Sequence, residues 1–393
     1  MPSQQRPRAS TPPPAAKAAL PPTPATQATG QARKLWLTSS LTKSFETPSR
    51  WAQTKLVVTM ALRLALMTVR GSPLWVVNLM RLCLYALCLA PALARSTWYY
   101  FSRHVDRSLR YGPGLRHTAD VYRPCAIRGE KAPTVIFLSG GAWVIGYKAW
   151  ASLTGRALAA HGCLVFAPDY RNCPQCDVNG MASDVDRAVG WCLEQAGAYG
   201  GDRENVVLMG QSAGAHLCAL VLLRGALTGW NARDLRGFVG ISGPYHVPAT
   251  AAHWKRRGFG QAMFAFIFGD EAGMLLASPT SLASHLDEVT LPPVLLLHGT
   301  ADQSAPHAST LDLAASLQGL GVDVRTKLYE GWTHTDPILE RPFAGDQRLH
   351  RDLLEAVELW CDGPVTAFDD AAPGLGRLCP QVLIDLGRGC MPF

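Results

Sequence analysis

Seven short runs of strand character, interleaved with stretches of helical spacing, constrain the fold of this 393-residue chain more than any other feature. The runs fall at residues 119–122, 134–138, 163–168, 205–209, 237–242, 294–297 and 324–329. Helical patterning occupies 153–160, 181–194, 213–224, 310–317 and 348–360. The run at 294–297 reads as a buried strand and 324–329 alternates like a last strand, and the interleaving of strands and helices predicts a mostly parallel sheet covered on both faces. About 250 residues is ample for one such domain and its core.

The fourth run leads into Leu208-Met209-Gly210-Gln211-Ser212-Ala213-Gly214-Ala215-His216, a Gly-x-Ser-x-Gly sequence between a predicted strand and a predicted helix. A chain that turns so sharply leaves no room for a Cβ on either side of the turning residue, which is pushed out of the fold. Ser212 is therefore a candidate nucleophile. A serine hydroxyl needs a histidine to take its proton, and that histidine needs a carboxylate to fix its tautomer. In α/β-hydrolase folds these residues follow in the order serine, acid, histidine.

The sixth run opens into His298-Gly299-Thr300-Ala301-Asp302, and the seventh into Glu330-Gly331-Trp332-Thr333-His334-Thr335-Asp336. Ser212, Asp302 and His334 come in the required order, each after a strand, at the sheet edge where open α/β folds build their sites. Three residues compete with them. His298 is the main rival base, but its place inside a strand end before a glycine suits a structural, hydrogen-bonded histidine. His216, four residues past Ser212 on a helix, reads as packed and neutral. Asp336 is a second candidate acid, or the cap of a helix starting at Pro337.

Acyl transfer also needs N–H donors aimed at the tetrahedral oxyanion. The run at 134–138 ends in Ser139-Gly140-Gly141-Ala142-Trp143. Consecutive glycines let the main chain approach a substrate, so the predicted hole is formed by Gly140, Gly141 and Ala142 with Ala213, flanked by Gln211. Lipases and esterases commonly carry histidine where Ser139 stands; the donors are main-chain, so the chemistry survives its absence. Residues 243–291 interrupt the alternation as a long insertion, predicted to be a lid, a substrate wall or a helical excursion.

Ahead of the sheet the chain changes character. Residues 1–50 are rich in Pro, Ala, Ser, Thr and Gln, and a disordered tail is expected, with an organelle transit peptide as the alternative. Within the membrane-associated segment expected at 51–112, residues 56–93 are the most apolar part: 56–69 is broken by Arg63, and 74–93 is long enough to span a bilayer, although Asn78 and Arg81 weaken it. Trp98, Tyr99, Tyr100 and Phe101 follow as an aromatic cluster of the membrane-interface kind. An N-terminal membrane arm is therefore expected, with an interfacial hairpin or a soluble cap as alternatives. Residues 113–393 form the predicted catalytic domain.

Charge divides the chain at the same place. Residues 1–112 hold 15 basic and 2 acidic side chains, and the remainder holds 22 and 28. The basic balance is local to the arm and suits anionic lipid rather than nucleic acid. Eleven scattered cysteines argue for reduced thiols and a cytosol-facing domain. Cys173-Pro174-Gln175-Cys176 has no second C-x-x-C pair, so no metal is expected.

The run Gly140-Gly141-Ala142-Trp143-Val144-Ile145-Gly146-Tyr147-Lys148-Ala149-Trp150 resembles the corresponding loop of the plant-type isoprenylcysteine α-carbonyl methylesterases. So do Asp169-Tyr170-Arg171-Asn172, Tyr199-Gly200-Gly201-Asp202, the segment from Met209 to His216, and Gly331-Trp332-Thr333-His334-Thr335-Asp336. The resemblance runs from about residue 74 to the end. It implies an α/β-hydrolase that cleaves the carboxyl methyl ester of a farnesylated or geranylgeranylated cysteine, at endoplasmic reticulum and Golgi membranes, without a cofactor. It also implies an apolar channel for the prenyl chain, for which Trp143, Tyr147 and Trp150 are candidate walls. A general carboxylesterase or formamidase on the same scaffold is the alternative activity. A non-catalytic lipid binder is a third reading, at odds with a complete set of catalytic groups.

Overall fold

The computed structural model describes residues 74–125, 131–227, 235–257, 261–286, 289–362 and 376–391, with a few isolated positions besides. The predicted tail at 1–50 and nearly all of the apolar stretch at 56–69 lie outside the described residues. Eight strands form one sheet: β1 Val105–Arg110, β2 Thr118–Tyr122, β3 Ala132–Leu138, β4 Leu164–Pro168, β5 Gly201–Gln211, β6 Gly237–Ile241, β7 Val294–Gly299 and β8 Val324–Tyr329. Their order is β1-β2-β4-β3-β5-β6-β7-β8. The first two pairings are antiparallel and every other pairing is parallel.

All seven predicted strands are present. β1 is the addition. Its sequence, Val-Asp-Arg-Ser-Leu-Arg, is polar because it is an edge strand with one side open, and its register slips between Asp106 and Leu109. The central strands β2, β3, β4 and β6 are buried at every position, which is why their sequences show no alternation.

Helices cover both faces. One face carries α3 (Val178–Gln195), α4 (Ala213–Leu227) and α9 (Ala308–Gly319); the other carries α2 (Ser152–Ala160) and α11 (Arg348–Trp360). The insertion folds into four helices, α5 (Val247–Arg256), α6 (Gln261–Phe268), α7 (Glu271–Leu276) and α8 (Pro279–Ser284). Phe264, Ile267 and Phe268 sink into the same core as α3 and α4, so the insertion is a packed layer. A short α10 (Glu340–Ala344) follows the last strand.

The segment predicted to span a bilayer is part of a 27-residue helix, α1 (Leu74–Tyr100). Among the described residues no helix is long and apolar enough to cross a membrane, so the transmembrane expectation finds no support there. Two features explain the difference. Tyr85, Leu89, Ala92 and Ser96 recur at spacings of four, three and four and are buried, so one stripe of α1 belongs to the protein's own packing. Its partners are Leu153, Phe343 and Ile384, the last from a C-terminal helix α12 (Gln381–Cys390) that the sequence pattern did not predict. Arg81 is the second feature: it donates to Met391 O at 3.2 Å, supplying a donor to a carbonyl orphaned at the end of α12.

Candidate active site

β5 ends at Gln211 and α4 begins at Ala213, leaving Ser212 alone in the turn with φ of 54°. This left-handed conformation is strained for a residue with a side chain, and the surroundings enforce it. Ser212 N donates to Ile241 O at 2.8 Å, tying the turn to the end of β6. A Cβ on Gly210 would lie 2.7 Å from the Ala215 main chain, and one on Gly214 would strike Leu138 O. Both glycines of the motif are thus required by close approach of backbone.

The three predicted partners meet. His334 Nε2 lies 2.8 Å from Ser212 Oγ, and its Nδ1 lies 2.7 Å from Asp302 Oδ2. With a neutral ring, Nδ1–H donates to the carboxylate and Nε2 accepts from the hydroxyl, the arrangement proton abstraction needs. The two loops are fastened together: Ala301 N donates to Trp332 O at 3.0 Å and Gly331 N to Thr300 Oγ1 at 2.8 Å. Asp302 is buried, which alone would raise its pKa. The charge of His334 and hydrogen bonds from His298 and His334 outweigh that and hold it well below the usual carboxylate range. Burial likewise favours neutral His334, but the charge and hydrogen bond of Asp302, with the charge of Glu340, lift it above the ordinary 6.5.

His298 is not the base. Its Nε2 reaches Asp302 Oδ2 at 3.0 Å and Ala305 O at 2.7 Å, two acceptors, so Nε2 carries the proton. Nδ1 then accepts from Thr310 Oγ1 at 2.6 Å. Together with N–H donors from Ser304 and Ala305 on the other carboxylate oxygen, it fixes the acid in place. Asp336 is not the acid either. It accepts from Thr333 N at 2.8 Å and pairs with Arg388 and Arg341, so it shapes the loop that carries His334.

Gly141, Ala142 and Trp143 all have positive φ, at 137°, 53° and 61°. Among the described hydrogen bonds none uses the N–H of Gly141, Ala142 or Ala213. These are the donors the sequence nominates for an oxyanion. Gly140 serves by being small: a Cβ there would sit 2.6 Å from Ser212 Cβ and against the Gln211 side chain, which is buried beneath the loop.

Trp143 departs from its expected place as a channel wall. It is fully buried, its ring edge-on to Phe268 and Phe264, and its Nε1–H donates to His216 Nδ1 at 3.2 Å. His216 in turn donates from Nε2 to Ala277 O at 2.7 Å, and burial lowers its pKa to about 4, so it stays neutral as predicted. The far side of the loop is held by Asp169-Tyr170-Arg171-Asn172. Tyr170 Oη donates to Ser139 O at 2.9 Å and Asn172 Nδ2 to Gly146 O at 2.7 Å, while Asp169 binds Arg116, which also donates to Gly146 O. Sequence reasoning noted that motif as a likeness and assigned it no task.

Known proteins sharpen the assignment. A family model described as BD-FAE matches residues 119–317. A probable isoprenylcysteine alpha-carbonyl methylesterase of Oryza sativa is 38% identical over 331 residues, covering 81% of this chain and 80% of its own. The chain belongs to the isoprenylcysteine α-carbonyl methylesterase family. The Arabidopsis thaliana methylesterase of that family is 35% identical over 334 residues, covering 81% and 77%. Solved structures agree on the fold. Esterase B from Lactobacillus rhamnosis superposes with a TM-score of 0.56 at 21% identity, over 72% of this chain and 96% of that one. An esterase from Pyrobaculum calidifontis gives 0.57 at 20% identity, over 72% and 93%. This member of the methylesterase family thus carries the α/β-hydrolase fold.

Proposed function

We propose that this protein is a serine hydrolase that cleaves the carboxyl methyl ester of an isoprenylated cysteine, releasing methanol and the free carboxylate. The observation that carries the reading is the Ser212–His334–Asp302 relay, with contacts of 2.8 and 2.7 Å, in a chain so similar to methylesterases. Ser212 Oγ attacks the ester carbonyl while His334 takes its proton. The oxyanion is received by the N–H groups of Gly141, Ala142 and Ala213. His334 then delivers the proton to departing methanol, and water, activated by the same ring, releases the acyl-enzyme.

The same reading places the enzyme at endoplasmic reticulum and Golgi membranes with its catalytic domain facing the cytosol. Its support is an apolar stripe of α1 that is exposed among the described residues. Val77, Met80, Leu84 and Leu87 recur at spacings of three, four and three and are exposed, Met80 at 67% and Leu87 at 69%. Val382 and Leu386 on α12 are exposed as well. An amphipathic pair of this kind lies in a membrane surface and need not cross it.

The deciding experiment measures methanol release from farnesylcysteine methyl ester by the purified protein and by Ser212→Ala. The variant is expected to lose about 10⁴-fold or more in kcat. Equal rates would remove the serine mechanism. Turnover of simple acyl esters without release from the prenylated ester would favour a general carboxylesterase instead.

A further inference from the structure

We propose that the apolar cleft between α1 and the two catalytic loops is the enzyme's prenyl slot, holding one isoprene unit of the substrate's lipid chain. This rests on the methylesterase reading above. The cleft has a volume of about 140 Å³ and is walled by Leu93 and Tyr100 of α1, Tyr147 and Trp150 after the oxyanion turn, and Leu339 and Phe343 after the histidine loop.

Its walls hang from the segments that do the chemistry. Tyr147 directly follows Gly146, which abuts the oxyanion turn so closely that a Cβ on Gly141 would lie 2.5 Å from Gly146 Cα. The Trp150 indole donates to Ile145 O of the same turn at 3.3 Å. On the opposite side Leu339 N donates to Thr335 O at 2.9 Å, one residue past His334. Anything seated in the cleft is thereby positioned relative to both the oxyanion donors and the base.

The lining selects hydrocarbon. None of the residues lining the cleft carries a charge. The hydroxyls that α1 brings to it are turned back or spent: Ser96 Oγ donates to Leu93 O at 2.9 Å, Thr97 Oγ1 to Ala94 O, and Tyr100 Oη to Asp120 Oδ2 at 2.7 Å. A ligand that demanded hydrogen bonds would find few partners here. Size sets the occupant further. An apolar cavity of roughly 150 Å³ accommodates a benzene-sized group, so this one takes a single five-carbon unit. The remaining units of a farnesyl or geranylgeranyl chain extend beyond it. A larger depression, of about 480 Å³, opens at the opposite ends of β6 and β7, beside Leu235, Pro292 and Trp360, away from all catalytic groups.

The test uses the full chain in detergent micelles and compares farnesylcysteine methyl ester with p-nitrophenyl acetate. In Thr97→Trp and Leu93→Trp an indole is built into the cleft from α1. The ratio of kcat/KM for the prenylated ester to that for the acetate is expected to fall at least about tenfold in both variants, chiefly through KM. An unchanged ratio, or an equal fall on both substrates, overturns the slot. With wild-type protein, S-prenyl, geranyl, farnesyl and geranylgeranyl esters should differ little in kcat/KM, the gain coming with the first unit; a further tenfold gain at farnesyl or geranylgeranyl overturns the one-unit limit. Wild-type turnover of the acetate with none of any prenylated ester is a distinct result, and it removes the methylesterase reading itself.

Discussion

His334 is held between two opposed effects, and its pH behaviour follows from which one wins. Burial favours the neutral ring, while Asp302 and the charge of Glu340 favour the imidazolium and prevail, so the ring titrates above 6.5. Only the neutral form accepts the Ser212 proton. The acid limb of kcat/KM is therefore expected on the alkaline side of 6.5, with activity rising as pH climbs through it; a plot of kcat/KM against pH reads this directly. Asp302→Asn leaves the shape of the relay but removes the charge and the tautomer control, and should lower kcat by about 10³–10⁴-fold while moving that limb downward. At this scale the sequence was generous for Ser212, Asp302 and His334, because chain order and strand ends announce them. It was silent on the work of Tyr170 and Asn172, whose acceptors at Ser139 and Gly146 lie 31 and 26 residues away. Only folding brings such partners together.

Elements reveal a second kind of coupling. Tyr85, midway along α1, donates its hydroxyl to Glu340 Oε1 at 2.6 Å, and the same oxygen accepts from Thr335 Oγ1 at 2.7 Å, next to His334. Arg388 of α12 pairs with Asp336, two residues beyond the base. The two helices outside the sheet therefore grip the histidine loop from both ends of Thr335-Asp336. Glu340 is buried, and among the described residues its Oε2 has no partner, so the carboxyl leans on the bonds to Oε1. Tyr85→Phe should cost about 1–2 kcal/mol in a urea unfolding experiment and lower kcat on short esters without a matching change in KM. Most strands of the sheet were legible in advance because burial on both faces wrote itself into apolar runs, and β8, exposed at four of its six positions, was legible from its alternation. α12 was not, since only Ile384 and Gly387 of its ten residues are buried and its partner stripe lies some 290 residues earlier.

For the whole molecule the question is how a globular hydrolase meets a substrate that partitions into lipid. α1 divides its apolar residues between two faces: Tyr85, Leu89 and Ala92 inward, Met80, Leu84 and Leu87 outward. The inward face packs the helix against the domain, and the outward one is exposed among the described residues. Periodicity alone could not separate these, because the sequence shows both stripes as one apolar run. The arginines point the same way. Arg81 and Arg95 reach main-chain carbonyls at Met391 and Leu378, and Arg107 stacks over Phe101 at 4.5 Å, so these cations lie near the C-terminal segment and the aromatic cluster, the place the proposed membrane reading needs them. Leu84→Asp combined with Leu87→Asp removes two apolar anchors from the outward stripe without touching the buried one. Each is worth about 1.5–3 kcal/mol when transferred from water, so the pair should weaken binding to anionic vesicles by about 10²-fold or more in a co-sedimentation assay. Turnover of a water-soluble short ester should persist, because neither residue reaches the relay. Undiminished vesicle binding by the double variant would assign the stripe to something other than lipid.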